Sequence, residues 1–188
     1  MEKKIAKILK ESIAVKEKIL KDQISIIAKM AELIIKSLKS GGKLIVFGNG
    51  GSACDSQHIA AELVGRFQKE RRPLPAISLN TNVSTLTALA NDYGYAVVFS
   101  RQIEALAKSG DIIMGISTSG KAENVNLAMQ KAKSMGIKTL ALSGKDGGKL
   151  AKLADLALIV PSNNTARIQE AHITIGHILC GLAEDALA

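Results

Sequence analysis

Lys43-Leu44-Ile45-Val46-Phe47 runs directly into Gly48-Asn49-Gly50-Gly51-Ser52-Ala53-Cys54-Asp55-Ser56-Gln57-His58-Ile59-Ala60-Ala61-Glu62, the stretch that decides the fold. Its first residues are apolar and strand-forming, and Ala53 to Val64 carries an apolar helical pattern, so the glycines fall at a strand-to-helix turn. Glycine lets the backbone approach a ligand closely, and a helix N-terminus turns its free N–H groups toward an anion. His58 and Glu62, four residues apart, project from one helix face. An anion cradle and an acid/base or metal pair within one helix length point to a small phosphorylated substrate.

Working outward, residues 3–39 hold no Gly or Pro, and Ile and Leu recur at helical spacing, which predicts one long helix or two with a break near Lys21–Asp22. Gly41-Gly42 stops it. Beyond it, strands are expected at Leu44–Phe47, Ala76–Leu79, Asp111–Ile116, Lys138–Leu142 and Leu156–Val160. Helices are expected to about Phe67, over Ser84 to about Ala90, through Arg101–Lys108, over Ala122 to Met135, in a short piece after Gly148, and from about Ala166 onward. Five apolar runs separated by helical patterns argue for an α/β fold with a parallel sheet covered on both faces. Ligands bind such sheets at the carboxyl ends of strands. Gly48–Ser52 and Ser117–Gly120 both lie there and can share one pocket.

The chain has 188 residues, which predicts one domain, an N-terminal helical segment over 1–40 and an α/β core over 41–188. No apolar run approaches the ~20 residues of a membrane span. The start, Met-Glu-Lys-Lys, leads into a charged amphipathic segment, so the expected location is cytoplasmic. Cys54 and Cys180 lie far apart without a CxxC motif and read as buried apolar thiols, one in each helix. The formal charge of +8 is concentrated in residues 1–43, where eleven lysines face five acids. Lys and Glu intersperse there without Arg clusters or aromatics, which describes a solvated helix face and not a nucleic-acid surface.

Gly48-x-Gly50-x-x-Ala53 is a weak variant of a dinucleotide fingerprint, and the second strand ends in Ser78-Leu79-Asn80-Thr81, without the carboxylate that would hold a ribose. Ser117-Thr118-Ser119-Gly120 follows a strand and opens a helix. One hydroxyl suffices for an N-cap, so this run suits a phosphate better. In the last helix Gln169, His172 and His177 sit amid Ile168, Ile173, Ile175 and Leu179 and need polar partners.

These motifs together resemble the sugar isomerase (SIS) domain family, specifically its heptose phosphate isomerases. The resemblance spans nearly the whole chain. It rests on Gly48 to Ala53, Gln57-His58 through Phe67, Ala90-Asn91-Asp92-Tyr93-Gly94, Ser117 to Gly120, and Thr165 through His172 with His177. It implies a flavodoxin-like five-stranded parallel sheet, N-terminal helices used for assembly, and a homotetramer with sites between subunits. It implies interconversion of D-sedoheptulose 7-phosphate and D-glycero-D-manno-heptose 7-phosphate, the entry to bacterial heptose synthesis for lipopolysaccharide or other surface glycans. Asn49, Gly50, Gly51, Ser52, Asn91, Asp92, Ser117, Thr118, Ser119 and Gln169 would contact substrate together with Glu62. Glu62 and His177 would be the acid/base pair. In members that bind zinc, one ion per subunit, the ligands correspond to His58, Glu62, Gln169 and His177.

Those roles suit aldose–ketose isomerisation, which needs a base to take a carbon-bound proton and a donor or metal to stabilise the enediol oxyanion. Gln169 and His177 are eight residues apart, ~12 Å along a helix and ~80° out of phase. Converging on one ion from the same helix would be strained, so the expectation is that a single site draws them from different subunits. Relatives often place a Ser two positions beyond the motif glycine, where this chain has Ala122. The rival reading is a non-catalytic SIS protein, a DnaA-binding initiation factor or a sugar-phosphate-sensing regulator, which would not need all four of His58, Glu62, Gln169 and His177.

Overall fold

Alternation within the strands dictates how the chain layers. The computed structural model describes residues 1–188. In β1 (Leu44–Gly48), Leu44 and Val46 face one apolar cluster while Ile45 and Phe47 face another, the period of two that a strand imposes. β2 (Ala76–Ser78), β3 (Ile112–Ser117), β4 (Lys138–Gly144) and β5 (Leu156–Val160) complete a wholly parallel sheet of order β2-β1-β3-β4-β5, the flavodoxin-like arrangement expected. Both faces are covered. α1 (Glu2–Asp22), α2 (Ile24–Lys39), α3 (Gly51–Val64) and α8 (Thr165–Leu187) lie on one, and α4 (Val83–Tyr93), α5 (Val98–Leu106), α6 (Glu123–Ser134) and α7 (Gly148–Leu153) on the other.

This order sets the site. After β1 the chain turns outward to the edge strand β2, and β3 returns to the other side of β1, so the sheet changes direction between β1 and β3. Gly48 pairs with Ile116 at the carboxyl ends of these two strands, which places the glycine loop beside Ser117.

The break in the N-terminal helices falls at Gln23, whose side-chain amide donates to the carbonyl of Ile159 at 2.8 Å and pins the corner to the sheet. Gly41, at φ 82°, turns the chain away from α2. No helix is long and apolar enough to cross a membrane. Several bounds differ from the pattern. α3 ends at Val64 and not near Phe67, because Gly65 stops it. α4 runs on to Tyr93, which puts Asn91 and Asp92 inside its last turn. α5 begins at Val98, whose side chain with Phe99 is buried against the sheet. Cys180 is buried as expected, but Cys54 is exposed, because its position on α3 points away from the sheet.

Candidate active site

At the end of β1 the backbone enters α3 through Gly50 at φ 57° and ψ −123°, a conformation open only to glycine. Across the switch point, Ser117, Thr118 and Ser119 follow β3. Together with Asn49, Ser52, Ile116, Ala122 and Gln169 they line a cavity of about 190 Å³. No cation lines it, and Lys121 points to solvent, so an anion there meets neutral donors and helix N-termini. The loop is held rigid from behind. The Ser117 carbonyl accepts from the Gly120 N–H at 3.2 Å and the Ser143 hydroxyl at 3.1 Å. At Gly120, φ 64°, the Gly147 carbonyl occupies the space a side chain would need. The Asn49 amide donates to Asn124 at 2.8 Å and accepts from Asn124 at 3.0 Å and from the Tyr95 hydroxyl at 2.9 Å, which leaves one amide hydrogen for a ligand.

α3 and α8 then run side by side in the same direction. Gln169 sits against Gly51, where any β-carbon would collide with its amide; Gly176 packs on Ile59; the Cys180 thiol faces the Ile59 carbonyl at 3.8 Å. Equivalent spacing on the two helices brings His177 beside His58. Nε2 of His58 lies 2.9 Å from Glu62 Oε1 and 3.4 Å from His177 Nε2, and the three ligand atoms fall within 4.8 Å of one another. Two imidazole nitrogens facing each other beside a carboxylate are a donor set suited to a borderline-soft cation. Gln169 and His177 of one chain therefore address different stations along α3, the anion cavity and the His–Glu cluster. Asn91 and Asp92 are exposed, bond to each other at 2.9 Å, and line neither station within the chain.

Several residues around the site were given no role by the sequence, Phe67 among them although it ends one of the motifs. Phe67 stacks on His177, with centroids 5.4 Å apart and planes 25° from parallel, and His58 meets His177 edge-on with centroids 4.9 Å apart at 76°. Asp55, one turn before His58 on α3, has a buried Oδ2 without a partner. Burial pushes its carboxyl up to about 6 against the pull of His58. Its i, i+3 spacing from His58 was a legible signal. Asn124 and Tyr95 had none, since only the folded chain brings them to Asn49. His172, by contrast, is fully buried away from the cluster and donates Nε2–H to the Ser143 carbonyl at 3.0 Å.

A hydroxyl-lined cavity at the switch point of a parallel sheet, one helix length from an imidazole–carboxylate cluster, defines an α/β protein built to act on a small phosphorylated ligand. The SIS domain family model matches residues 8–144. A phosphoheptose isomerase of Thermodesulfovibrio yellowstonii is 54% identical over 187 residues, covering 100% of this chain and 93% of its own. One from Aquifex aeolicus is 54% identical over 98% of this chain and 97% of its own. The structure of phosphoheptose isomerase from Neisseria gonorrhoeae superimposes with a TM-score of 0.92 at 41% identity, covering 98% of each chain. The chain belongs to the phosphoheptose isomerase family of SIS domain proteins.

Proposed function

We propose that this protein interconverts D-sedoheptulose 7-phosphate and D-glycero-D-manno-heptose 7-phosphate through an enediol, the step that opens heptose synthesis for surface glycans. The observation that carries this reading is the pairing of the Ser117–Ser119 cavity with the His58–Glu62–His177 cluster along two parallel helices. The cavity holds the phosphate, whose binding energy is spent on keeping the sugar in register at the distant reacting carbons. Glu62 takes the proton from the carbon beside the carbonyl and returns it to the neighbouring carbon. His177 moves the proton between the two oxygens, and the Asn49 amide and Ser52 orient the chain of hydroxyls.

His58, Glu62 and His177 are the residues that would hold zinc, with the Gln169 carbonyl as fourth ligand. A zinc ion bound there supplies Lewis-acid polarisation of the substrate carbonyl. Because Gln169 of the same chain packs on Gly51, the fourth ligand is drawn from another subunit, and the active assembly is a homotetramer with sites between chains. Asn91 and Asp92, exposed at the end of α4, then reach substrate in that assembly.

The test is turnover of sedoheptulose 7-phosphate by the purified protein, followed by NMR. Glu62→Gln is expected to lower kcat by about 10²–10⁴-fold with little change in KM. Chelation followed by zinc addition is expected to remove and restore activity. No turnover by the folded, zinc-supplied wild type would sink this reading.

A further inference from the structure

Past Gly65 the chain crosses to β2 through residues 66–75 with no regular structure, yet two buried charges pin its first half. Glu184, on α8, accepts the backbone N–H groups of Phe67 at 3.0 Å, Gln68 at 2.7 Å and Lys69 at 2.9 Å. Arg71 donates from Nη2 to the Glu62 carbonyl at 2.8 Å and from Nη1 to those of Leu63 at 2.9 Å, Gly65 at 2.8 Å and Arg72 at 3.1 Å. The two meet at 3.1 Å, Nε to Oε1, with side chains only 1% and 2% exposed. The Nε–H is not aligned on the carboxylate, so this contact is ionic and the guanidinium's hydrogen bonds go to the end of α3. A cation that satisfies the last carbonyls of a helix fixes that helix end. A buried carboxylate ringed by N–H donors fixes the turn that supplies them.

We infer that Arg71 and Glu184 are positioning residues for the isomerisation, one latch that fixes both halves of the His–Glu cluster. Through Glu184 it holds Phe67 flat on His177, with the Phe67 ring also lying over Gly181 of α8, 3.5 Å from where a β-carbon would be. Through Arg71 it holds the turn of α3 that carries Glu62. His177, Gly181 and Glu184 fall on one face of α8 at i, i+4 and i+7, so the latch and the imidazole it steadies belong to one rigid surface. The neighbouring charges on the crossing face outward: Arg66 and Glu70 are exposed, and the Lys69–Asp185 pair at 2.6 Å lies on the surface. A buried ion pair contributes little net stability compared with apolar packing, so its place beside the cluster is better explained by the geometry it imposes.

The inference rests on the isomerase reading, and its test separates the two. Wild type, Phe67→Leu, Glu184→Gln and the double variant are compared as zinc-supplied full chains, well below each unfolding midpoint. Each single variant is expected to keep KM within about threefold while kcat falls about tenfold or more, because the misplacement acts on the reacting groups and not on the phosphate. The double variant is expected to lose less than the two single losses combined, since Phe67 transmits part of what Glu184 holds. The second readout needs no turnover. The chain has three histidines, and the ring-proton NMR signals of His177 are expected to shift together in both single variants as the Phe67 ring current is lost, while those of His172 stay put. Folded Glu184→Gln with wild-type kcat and unmoved His177 signals would overturn the inference. If Glu184→Gln fails to fold, Arg71→Lys replaces it, since it keeps the charge but loses the fork, and wild-type kcat in both Arg71→Lys and Phe67→Leu overturns the inference equally. Absence of turnover in the wild type counts against the isomerase alone, and the NMR comparison then decides the latch.

Discussion

Ala122 occupies the N-cap of α6 without a side-chain cap, and its β-carbon lines the anion cavity. Asn124 partly stands in, accepting the Val125 N–H on Oδ1 at 2.9 Å. Ala122→Ser is therefore expected to stabilise by about 0.5–1 kcal/mol, a rise of roughly 1–4 °C in the unfolding midpoint. The added hydroxyl should also lower KM a few-fold, as one more donor to phosphate is worth on the order of 1 kcal/mol. An unchanged KM would mean the hydroxyl does not face the ligand. His172 carries one arm of the pH dependence, and the raised carboxyl of Asp55 opposes it as pH falls through about 6. Burial pushes its pKa from the ordinary 6.5 down to about 4, with the Ser143 carbonyl opposing. The unfolded chain takes up a proton that the folded one refuses, so His172 leaves stability intact above pH 6.5 and removes up to about 3 kcal/mol as pH falls toward 4. His172→Gln, which retains a donor for Ser143, should shift the urea midpoint in the variant's favour relative to wild type as pH falls across that window. Glu184 acts lower down: burial raises its carboxyl, but the Gln68, Phe67 and Lys69 N–H groups and Arg71 outweigh this and hold it below the ordinary range. What it contributes is thus present above pH 4.5 and lost as acid reaches its lowered pKa.

At the scale of elements, the parallel pairing of α3 and α8 does most to build the site. Gly176 lets the two approach, since a β-carbon there would come within 2.8 Å of two Ile59 side-chain atoms. Gly176→Ala should cost about 1–3 kcal/mol by overpacking and lower kcat by swinging His177 away from His58, measured by denaturation and turnover side by side. A loss of stability with full kcat would show that the helices tolerate the wedge. The pairing also marks where sequence reading stops. The strand at Leu44–Phe47, the glycine turn and the His58–Glu62 face are local patterns, encoded within a few residues, and all three were legible. The spacing of Gln169 and His177 showed that they diverge on one helix, but not that α3 supplies a matching station for each. The Arg71–Glu184 latch was invisible, because neither residue belongs to a pattern until residues 113 positions apart are packed together.

For the whole molecule the decisive fact is what α1 leaves uncovered. It buries only Val15 and Ile19, while Ile5, Ile8, Leu9, Ile13 and Leu20 are 40–65% exposed. With Ile24, Ile27, Ile175 and Ile178 the last of these border a groove of about 390 Å³ between α1, α2 and α8. An apolar face of this kind suits assembly with other copies of the chain. Leu20→Glu is expected to shift the proposed tetramer to smaller species in light scattering and to lower activity with it, if each site borrows Gln169 from a neighbour. Full activity in a monomeric Leu20→Glu would show that one chain suffices. The apolar period of residues 3–39 was readable from sequence, but which stripe meets α8 and which stays bare depends on the corner that Gln23 makes with Ile159.

That α8 packs against α1, α2 and α3 together has a consequence for how the protein is made. Those three helices leave the ribosome early, and their shared partner comes last. At typical elongation rates of about 5–20 residues per second, the nascent chain spends on the order of ten seconds with the α8-facing sides of those helices uncovered. Chains stalled before residue 165 should be more readily trapped by chaperones and cleared by proteases than full-length chains, in which α8 covers that apolar surface.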